Sequence, residues 1–470
     1  MHEPDQPTNK DSSEGQVYPD GPVNPQGHKP SGSSPDPENA NAPQPANTFK
    51  PLSRAGLTFA SGMSNNEDSL AAGRSAAERA FAKLSESGGE SCDLALCFFS
   101  KHHIDQSIEM ARTIREVLRP RMLIGVSSHG VIAGATEVER TPGIAILAGS
   151  MPQVSLRGFT TDDLMSTYDA PDGLDRLEGA IGSGDSLRGM LLFSDPTTVP
   201  MIRLIPTLGD AAGDNVPIIG GMASAGKEPG ANALILDDRV VRAGLVGVSI
   251  SGPVRIDSIV SQGCRPFGPM MIVTKAKGNL ILELSGRPAI DAVREAVAEF
   301  GERAERVLKG GLFIGRVINE YKERFGRDDF LIRPIVGVQP DLGGIGVGDI
   351  IRVGTTVRMH VRDATTARED LAMLLDGQAV HEPPAGALLI TCNSRGKKLF
   401  GEPHHDAKAV ARLFASPRAG EARARGGKEV GPIDPPPPVA GFFAAGEIGP
   451  VGKRSYLHGH TTCLAMFRNR

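Results

Sequence analysis

The sequence predicts an α/β (α+β) protein of two modules, each a mixed β-sheet flanked by helices and packed as a layered sandwich. Three observations carry this. The chain has 470 residues, more than a single ordinary domain. Its 57 glycines and 40% apolar content, with only 4% aromatics, suit short strands joined by tight turns. Apolar runs of strand length alternate with helix-period runs, and many strands end in glycine turns that carry small polar or charged residues.

Residues 1–50 are rich in Pro, Ser, Asn, Gly and acid and nearly lack large aliphatics. They cannot bury enough surface to offset ordering entropy, so a disordered tail is expected. This stretch carries the whole formal net charge of −4, which leaves residues 51–470 neutral. The first module is placed at 51–252. It opens with an Ala-rich helical pattern over Ser69–Leu84, then a strand over Asp93–Phe99. A helix follows to Leu118, capped by Asp105, with Ile108, Ala111, Ile114 and Leu118 on its inward face. Leu123–Val126 is the next strand, so strand, helix, strand reads as a parallel pair. Gly143–Gly149, Val154–Phe159 and Gly189–Phe193 read as further strands. A helix over Ile202–Leu208 and a hairpin turning at Asp237-Asp238 complete the module.

Ser251-Gly252-Pro253 marks the boundary to the second module, 253–470. Here Arg255–Val260 is a strand, and a hairpin turns at Lys277-Gly278-Asn279. Pro288 opens a helix running to about Val307. Strands are expected at Phe330–Val338, Ile350–Val353, Val357–Val361 and Ala387–Thr391, and helices at Thr365–Leu375 and His405–Phe414. Residues 417–438, with four consecutive prolines, read as a flexible excursion. Val439–Ala445 is a buried strand, Gly446–Pro450 a turn, and Cys463–Phe467 a closing apolar run.

Composition narrows the function. No Trp and only 4 Tyr argue against aromatic platforms for bases or sugars. The neutral main body offers no basic field for nucleic acid or an anionic membrane. No stretch approaches the length of a membrane span. Five widely spaced cysteines, Cys92, Cys97, Cys264, Cys392 and Cys463, suit a reducing compartment, so a cytoplasmic location is expected.

Five strand-end turns carry the candidate site: Ser127-Ser128-His129-Gly130, Gly220–Ser224, Gln262–Arg265, Cys392–Gly396 and Gly446–Pro450. Glycine lets backbone N–H groups approach a ligand, arginine grips a carboxylate, and glutamate accepts from an ammonium. Together such turns fit a small zwitterion. Competing chemistries find less support. There is no GxxxxGK[ST] and no dinucleotide fingerprint. Ser128 and Ser224 follow strands outside any GxSxG, and no His–Asp partner can be assigned. Cys264 and Cys392 lie near arginines but read better as small buried residues. His102-His103, His404-His405 and His458/His460 lack metal-ligand spacing, so neither metal nor other cofactor is expected.

Several of these segments resemble the FIST family (F-box and intracellular signal transduction proteins). The first module matches through LIGVSSHGVI and IIGGMAS, the second through SQGCRPFGP, LELSGRPAIDAV, LITCNSRGKKLFG, GFFAAGEIGPVG and YLHGHTTCLAMF. Val126 stands where the family pattern suggests a cysteine. The resemblance implies a sensory module that binds a small molecule, an amino acid or related metabolite, and acts through a signalling partner. The expected ligand-binding residues are Ser127, Ser128, Gly130, Gly221, Ser224, Gly263, Arg265, Asn393, Arg395, Gly446, Glu447, His458, Gly459 and Thr461. Arg265 or Arg395 would take a ligand carboxylate and Glu447 an ammonium, while Ser128, Ser224, Asn393 and Thr461 orient the ligand. A binding protein is expected ahead of two alternatives: a hydrolase or transferase with a Ser or Cys nucleophile, and a protein-binding scaffold with a large exposed apolar patch.

Overall fold

The computed structural model describes residues 56–165, 173–301, 304, 310–326, 329–415 and 436–470. The expected tail over 1–50 and nearly all of the Pro-rich excursion lie outside these residues.

One topology occurs three times. The first repeat runs β1 (Thr58–Ser64), α1 (Ser69–Glu86), β2 (Leu94–Ser100), α2 (Ser107–Leu118), β3 (Met122–Ser128), a hairpin β4 (Gly130–Ala133) and β5 (Thr136–Glu139), then β6 (Ile144–Ser150). The second runs β7 (Ser155–Thr160), α3 (Thr161–Met165), α4 (Gly173–Ile181), β8 (Leu187–Ser194), α5 (Met201–Ala212), β9 (Ile218–Met222), a hairpin β10 (Leu234–Leu236) and β11 (Arg239–Val241), then β12 (Leu245–Ser251). The third begins with β13 (Val254–Ser261). After an insertion it continues through α7 (Ala364–Asp376), β21 (Gly386–Cys392), α8 (Gly396–Phe400), α9 (His405–Ala415) and β22 (Val439–Ala444). It ends in a hairpin β23 (Glu447–Val451) and β24 (Arg454–His458), then β25 (Thr462–Asn469).

Each repeat builds a sheet around a parallel pair: β2 with β3, β8 with β9, and β21 with β22. Each hairpin leaves its own repeat and extends the sheet of the preceding repeat in cyclic order. The sheet orders are β1-β6-β2-β3-β10-β11, β7-β12-β8-β9-β23-β24 and β13-β25-β21-β22-β4-β5. The exchange is cyclic, so no sheet is complete without a strand pair from another repeat.

Strand alternation explains the layering. In β2 every residue is buried, with Leu94, Leu96 and Phe98 facing a core shared by all three sheets. Ala95, Cys97 and Phe99 face the separate core under α1 and α2. A strand buried on both faces reads as an unbroken apolar run, as LALCFF does. The second sheet is covered by α4 and α5 and the third by α7 and α9. At the centre Phe98, Phe193 and Phe442 pack with ring centroids 5.1–5.8 Å apart, one ring from each sheet.

The insertion in the third repeat is a barrel. It comprises β14 (Cys264–Lys277), β15 (Leu280–Leu284), β16 (Arg287–Pro288), α6 (Ala289–Ala298), β17 (Leu312–Val317), β18 (Phe330–Gln339), β19 (Gly344–Val347) and β20 (Thr356–Arg362). The order β14-β20-β17-β18-β19-β15 closes because β14 pairs with β20 through its first half and with β15 through its second.

The mixed sheets flanked by helices agree with the sequence reading, and local differences have physical causes. Gly446–Pro450 is not a turn: Gly446 ends the break and Glu447 opens β23, because β9 offers it an open edge at Gly220 and Gly221. In α2, Ile108 is exposed and Met110 takes the inward position. The α2 N-cap is Gln106 instead of Asp105. Ile350–Val353 is not a strand, whereas β17 and β19 were missed; glycines interrupt their apolar pattern.

Candidate functional site

The ends of β3, β9 and β22, the third strand of each repeat, interlock. Ser224 N–H donates to Ser127 O at 3.3 Å, and Met222 N–H donates to Gly446 O at 2.8 Å. Ser224 Oγ donates to Phe443 O and accepts from His129 N–H at 2.8 Å. Asn393 N–H donates to Ala444 O at 2.8 Å, which joins the end of β21 to the same junction. The approach is close enough to need glycine: a Cβ on Gly221 would lie 3.0 Å from the Ala444 Cβ and the Gly446 carbonyl oxygen.

The chemistry gathers on the third repeat. Sheet register equates Glu447 with Val131 and Leu234 of the other two exchanged hairpins. It likewise equates Thr461 with Gly143 and Gly244, and Cys392 with Ser100 and Asp195. So where two repeats place an aliphatic residue, the third places a fully buried carboxylate. Glu447 Oε2 accepts from Thr461 N–H at 3.1 Å and Thr461 Oγ1–H at 2.6 Å. The Cys392 thiol lies against the carboxylate, yet no N–H or O–H donor reaches Oε1. Burial pushes the Glu447 carboxyl above its usual range, against the Thr461 bonds. Burial and the Glu447 charge push the Cys392 thiol up as well.

A hydrogen-bonded chain leads outward. Cys392 Sγ is 3.0 Å from Ser394 Oγ, which is 2.9 Å from His460 Nδ1. Burial, then Arg362, Arg395 and Lys398, lower the His460 pKa to about 4, so the imidazole is neutral at pH 7. Its ring meets Phe313 of the barrel edge-on at 4.7 Å. Arg362 of β20 donates to Ser394 O. Beneath lies a buried pair: Arg395 donates through Nε and Nη2 to Asp406 at 2.7 and 2.9 Å. Thr391 and Thr462 hydroxyls also donate to Asp406 Oδ2, at 2.6 and 2.7 Å. Against its burial, Arg395 holds the Asp406 carboxyl well below the usual range. The Arg395 Nη1 and Arg362 Nε atoms are buried without a hydrogen-bond partner. Gly263, at φ 40°, leaves the space that Nη1 occupies, since a Cβ there would lie 2.9 Å from it.

The expected site residues thus divide. Gly221, Ser224, Ser127 and Gly446 meet in the junction, and Asn393, Arg395, Glu447, Thr461 and Gly263 surround Cys392. Ser128 turns back to Gly130 O at 2.7 Å, and Gly130 packs under Phe443. His458 is buried with Nε2 on Gly449 O at 3.0 Å, and Gly459 has open space where a side chain would project. Arg265 is not brought in: it lies at the surface, 3.6 Å from Asp363, its guanidinium 5.9 Å from the Phe300 ring centre. Sequence reasoning passed over Arg362 and Asp406, gave Ser394 no role, and weighed His460 only as a metal ligand. Ser394 stood inside a quoted turn, but Arg362 comes from the barrel, and only the closed structure brings it there.

Among the described residues no group of three or more His, Cys, Asp or Glu side chains forms a metal-holding cluster. Among them, too, no helix is long and apolar enough to cross a membrane.

Comparison with known proteins gives the family. The chain is 36% identical over 407 residues to Uncharacterized protein Rv0628c of Mycobacterium tuberculosis, covering 84% of this chain and 96% of that protein. It is 33% identical over 409 residues to Uncharacterized protein Mb0898c of Mycobacterium bovis, covering 84% and 95%. A crystal structure of a cyanuric acid hydrolase from A. caulinodans aligns over 88% of this chain and 100% of its own, at 9% identity and a TM-score of 0.26, too low to carry an inference. The FIST N domain model matches residues 93–287 and the FIST C domain model residues 289–450. The chain therefore belongs to the FIST family, whose domains are sensory and signal-transduction modules.

Proposed function

We propose that the junction around Cys392 binds a small zwitterionic metabolite, with an amino acid as the best-fitting class, and that binding is read by a signalling partner. One observation carries this reading. Two fully buried groups of one cluster are under-satisfied: Glu447 Oε1 has no N–H or O–H donor and only the Cys392 thiol near its carboxylate, and Arg395 Nη1 has no acceptor. Leaving such an atom unmet costs about 1–3 kcal/mol, more when charged. A ligand ammonium on Glu447 Oε1 and a ligand carboxylate on Arg395 Nη1 and Arg362 Nε would meet all three. Thr461 bonds Glu447, Asn393 stands beside Cys392 and Ser224 holds the strand junction, so small polar groups accompany the charged pair; Ser128 keeps its hydroxyl on Gly130 O and supports the turn. Arg265 has no part in this version of the site. Five free, buried cysteines support a cytoplasmic setting.

Isothermal calorimetry of the full chain over a panel of amino acids and small carboxylates tests the reading. Binding of at least one zwitterion is expected, and Glu447→Gln should weaken it tenfold or more, about 1.4 kcal/mol. No heat with any zwitterion, or equal affinity in Glu447→Gln, overturns it.

The scaffold reading has one observation of its own: Ile272, Val336, Val338 and Leu342 of the barrel expose apolar side chains. They mark the barrel as the surface to test for partner contact, by pull-down with Val336→Lys.

A further inference from the structure

We propose that Ser394 and His460 form a nucleophile–base dyad that accepts acyl groups from small anionic esters. This goes beyond reversible binding, because it requires a covalent bond to Ser394, a residue the binding reading does not use as a contact.

The geometry is that of an activated hydroxyl. Ser394 Oγ lies 2.9 Å from His460 Nδ1, within reach for proton transfer. On its other side, 3.0 Å away, stands the Cys392 thiol, so Oγ lies between the sulfur and the imidazole. The ring is held in turn: His460 sits at a positive φ of 65°, and Phe313 packs on it edge-to-face. The dyad is reachable where the thiol is not. Ser394 and His460 are half-buried, the adjacent Asn393 is exposed, and Gly459 has nothing within 4 Å of its missing side chain, whereas Cys392 is only 4% exposed. The cations Arg362 and Lys398 act on the imidazole, while Arg395 beside them is paired with Asp406. That field favours an anionic substrate and stabilises negative charge developing on an acyl oxygen.

The step balances without a further reactant. The Ser394 hydroxyl proton passes to His460 Nδ1 as the Oγ–acyl bond forms. The ester C–O bond then breaks, and the leaving alcohol takes the proton from the imidazolium. Water, deprotonated by His460, attacks the acyl carbon; the Oγ–acyl bond breaks, the acid leaves, and Oγ takes the proton back from the imidazolium.

A fluorophosphonate probe on the full chain, with the labelled peptide located by mass spectrometry, tests the dyad. Labelling at Ser394 is expected, lost in Ser394→Ala and slowed about 100-fold or more in His460→Gln. In Glu447→Gln, where the carboxyl behind Cys392 no longer titrates, the labelling rate should stay flat from about pH 8 to about pH 5, because the base remains neutral there. Ser394→Ala and the wild type, compared by circular dichroism, show whether lost labelling reflects lost folding. No label on Ser394 in the folded wild type overturns the proposal, as does an equal rate in folded His460→Gln or a rate that halves near pH 6.5 in Glu447→Gln. Calorimetric binding of a zwitterion without labelling sinks the dyad and leaves the binding reading standing; labelling without zwitterion binding does the reverse.

Discussion

Glu137 of β5 shows how the fold sets the properties of single residues. Its Oε1 accepts from Ala407 N–H at 2.9 Å, while Oε2 is buried without a partner. Burial, then the nearby Asp406 charge, raises its pKa to about 7. A carboxyl raised in the folded state stays protonated there while the unfolded chain already ionises, so its contribution is full at low pH and is lost as pH rises toward 7. In chemical denaturation at several pH values, Glu137→Gln should gain stability relative to the wild type between about pH 4.5 and pH 7, by up to about 3 kcal/mol. An unchanged difference across that range would show that Glu137 is ionised in the fold. None of this was legible in the sequence, where Glu137 is one acid in TEVER. Its burial depends on α9, some 270 residues away.

At the scale of elements, the third strand of each repeat has one requirement. Gly125, Gly220 and Gly441 occupy equivalent registers, opposite Cys97, Leu192 and Leu389 of the parallel neighbour. A Cβ at these positions would lie 2.6, 1.8 and 1.7 Å from the facing carbonyl oxygens, so the strands pack closer than any side chain permits. Gly441→Ala should therefore lower stability by more than about 3 kcal/mol or prevent folding, since backbone must shift in a close-packed core. Gly459→Ala, with open space around it, should stay within about 1 kcal/mol in the same thermal melts. The strands themselves were readable, because apolar runs such as LALCFF and VAGFFA are buried on both faces. The barrel strands were less so, since glycines break their alternation and their partners are distant in sequence.

The whole molecule is held by exchange. The turn at Gly252-Pro253 separates the second repeat from the third, and on this ground we propose the two-module division at residues 252 and 253. Yet β4–β5 of the first module completes the sheet of the second, and β23–β24 of the second completes a sheet of the first. Residues 51–252 expressed alone would leave β9 as an unpaired edge and β4–β5 without a sheet. That fragment should aggregate on size-exclusion chromatography and become soluble when co-expressed with residues 253–470. A monodisperse, folded 51–252 fragment would refute the interdependence. The central ring trio Phe98, Phe193 and Phe442 has the same logic, since it exists only when three sheets meet.

By itself the sequence determined the fold class, the family, and the turns on which chemistry collects, because these rest on local periodicity, glycine placement and short motifs. Glu447, Asn393, Arg395 and Thr461 were named from those turns alone. Only the tertiary structure decided that the turns of three repeats interlock, that Arg265 points to solvent, and that Arg362 and His460 close around Ser394. Those outcomes follow from strand register and hairpin exchange between residues hundreds of positions apart, which local pattern does not encode.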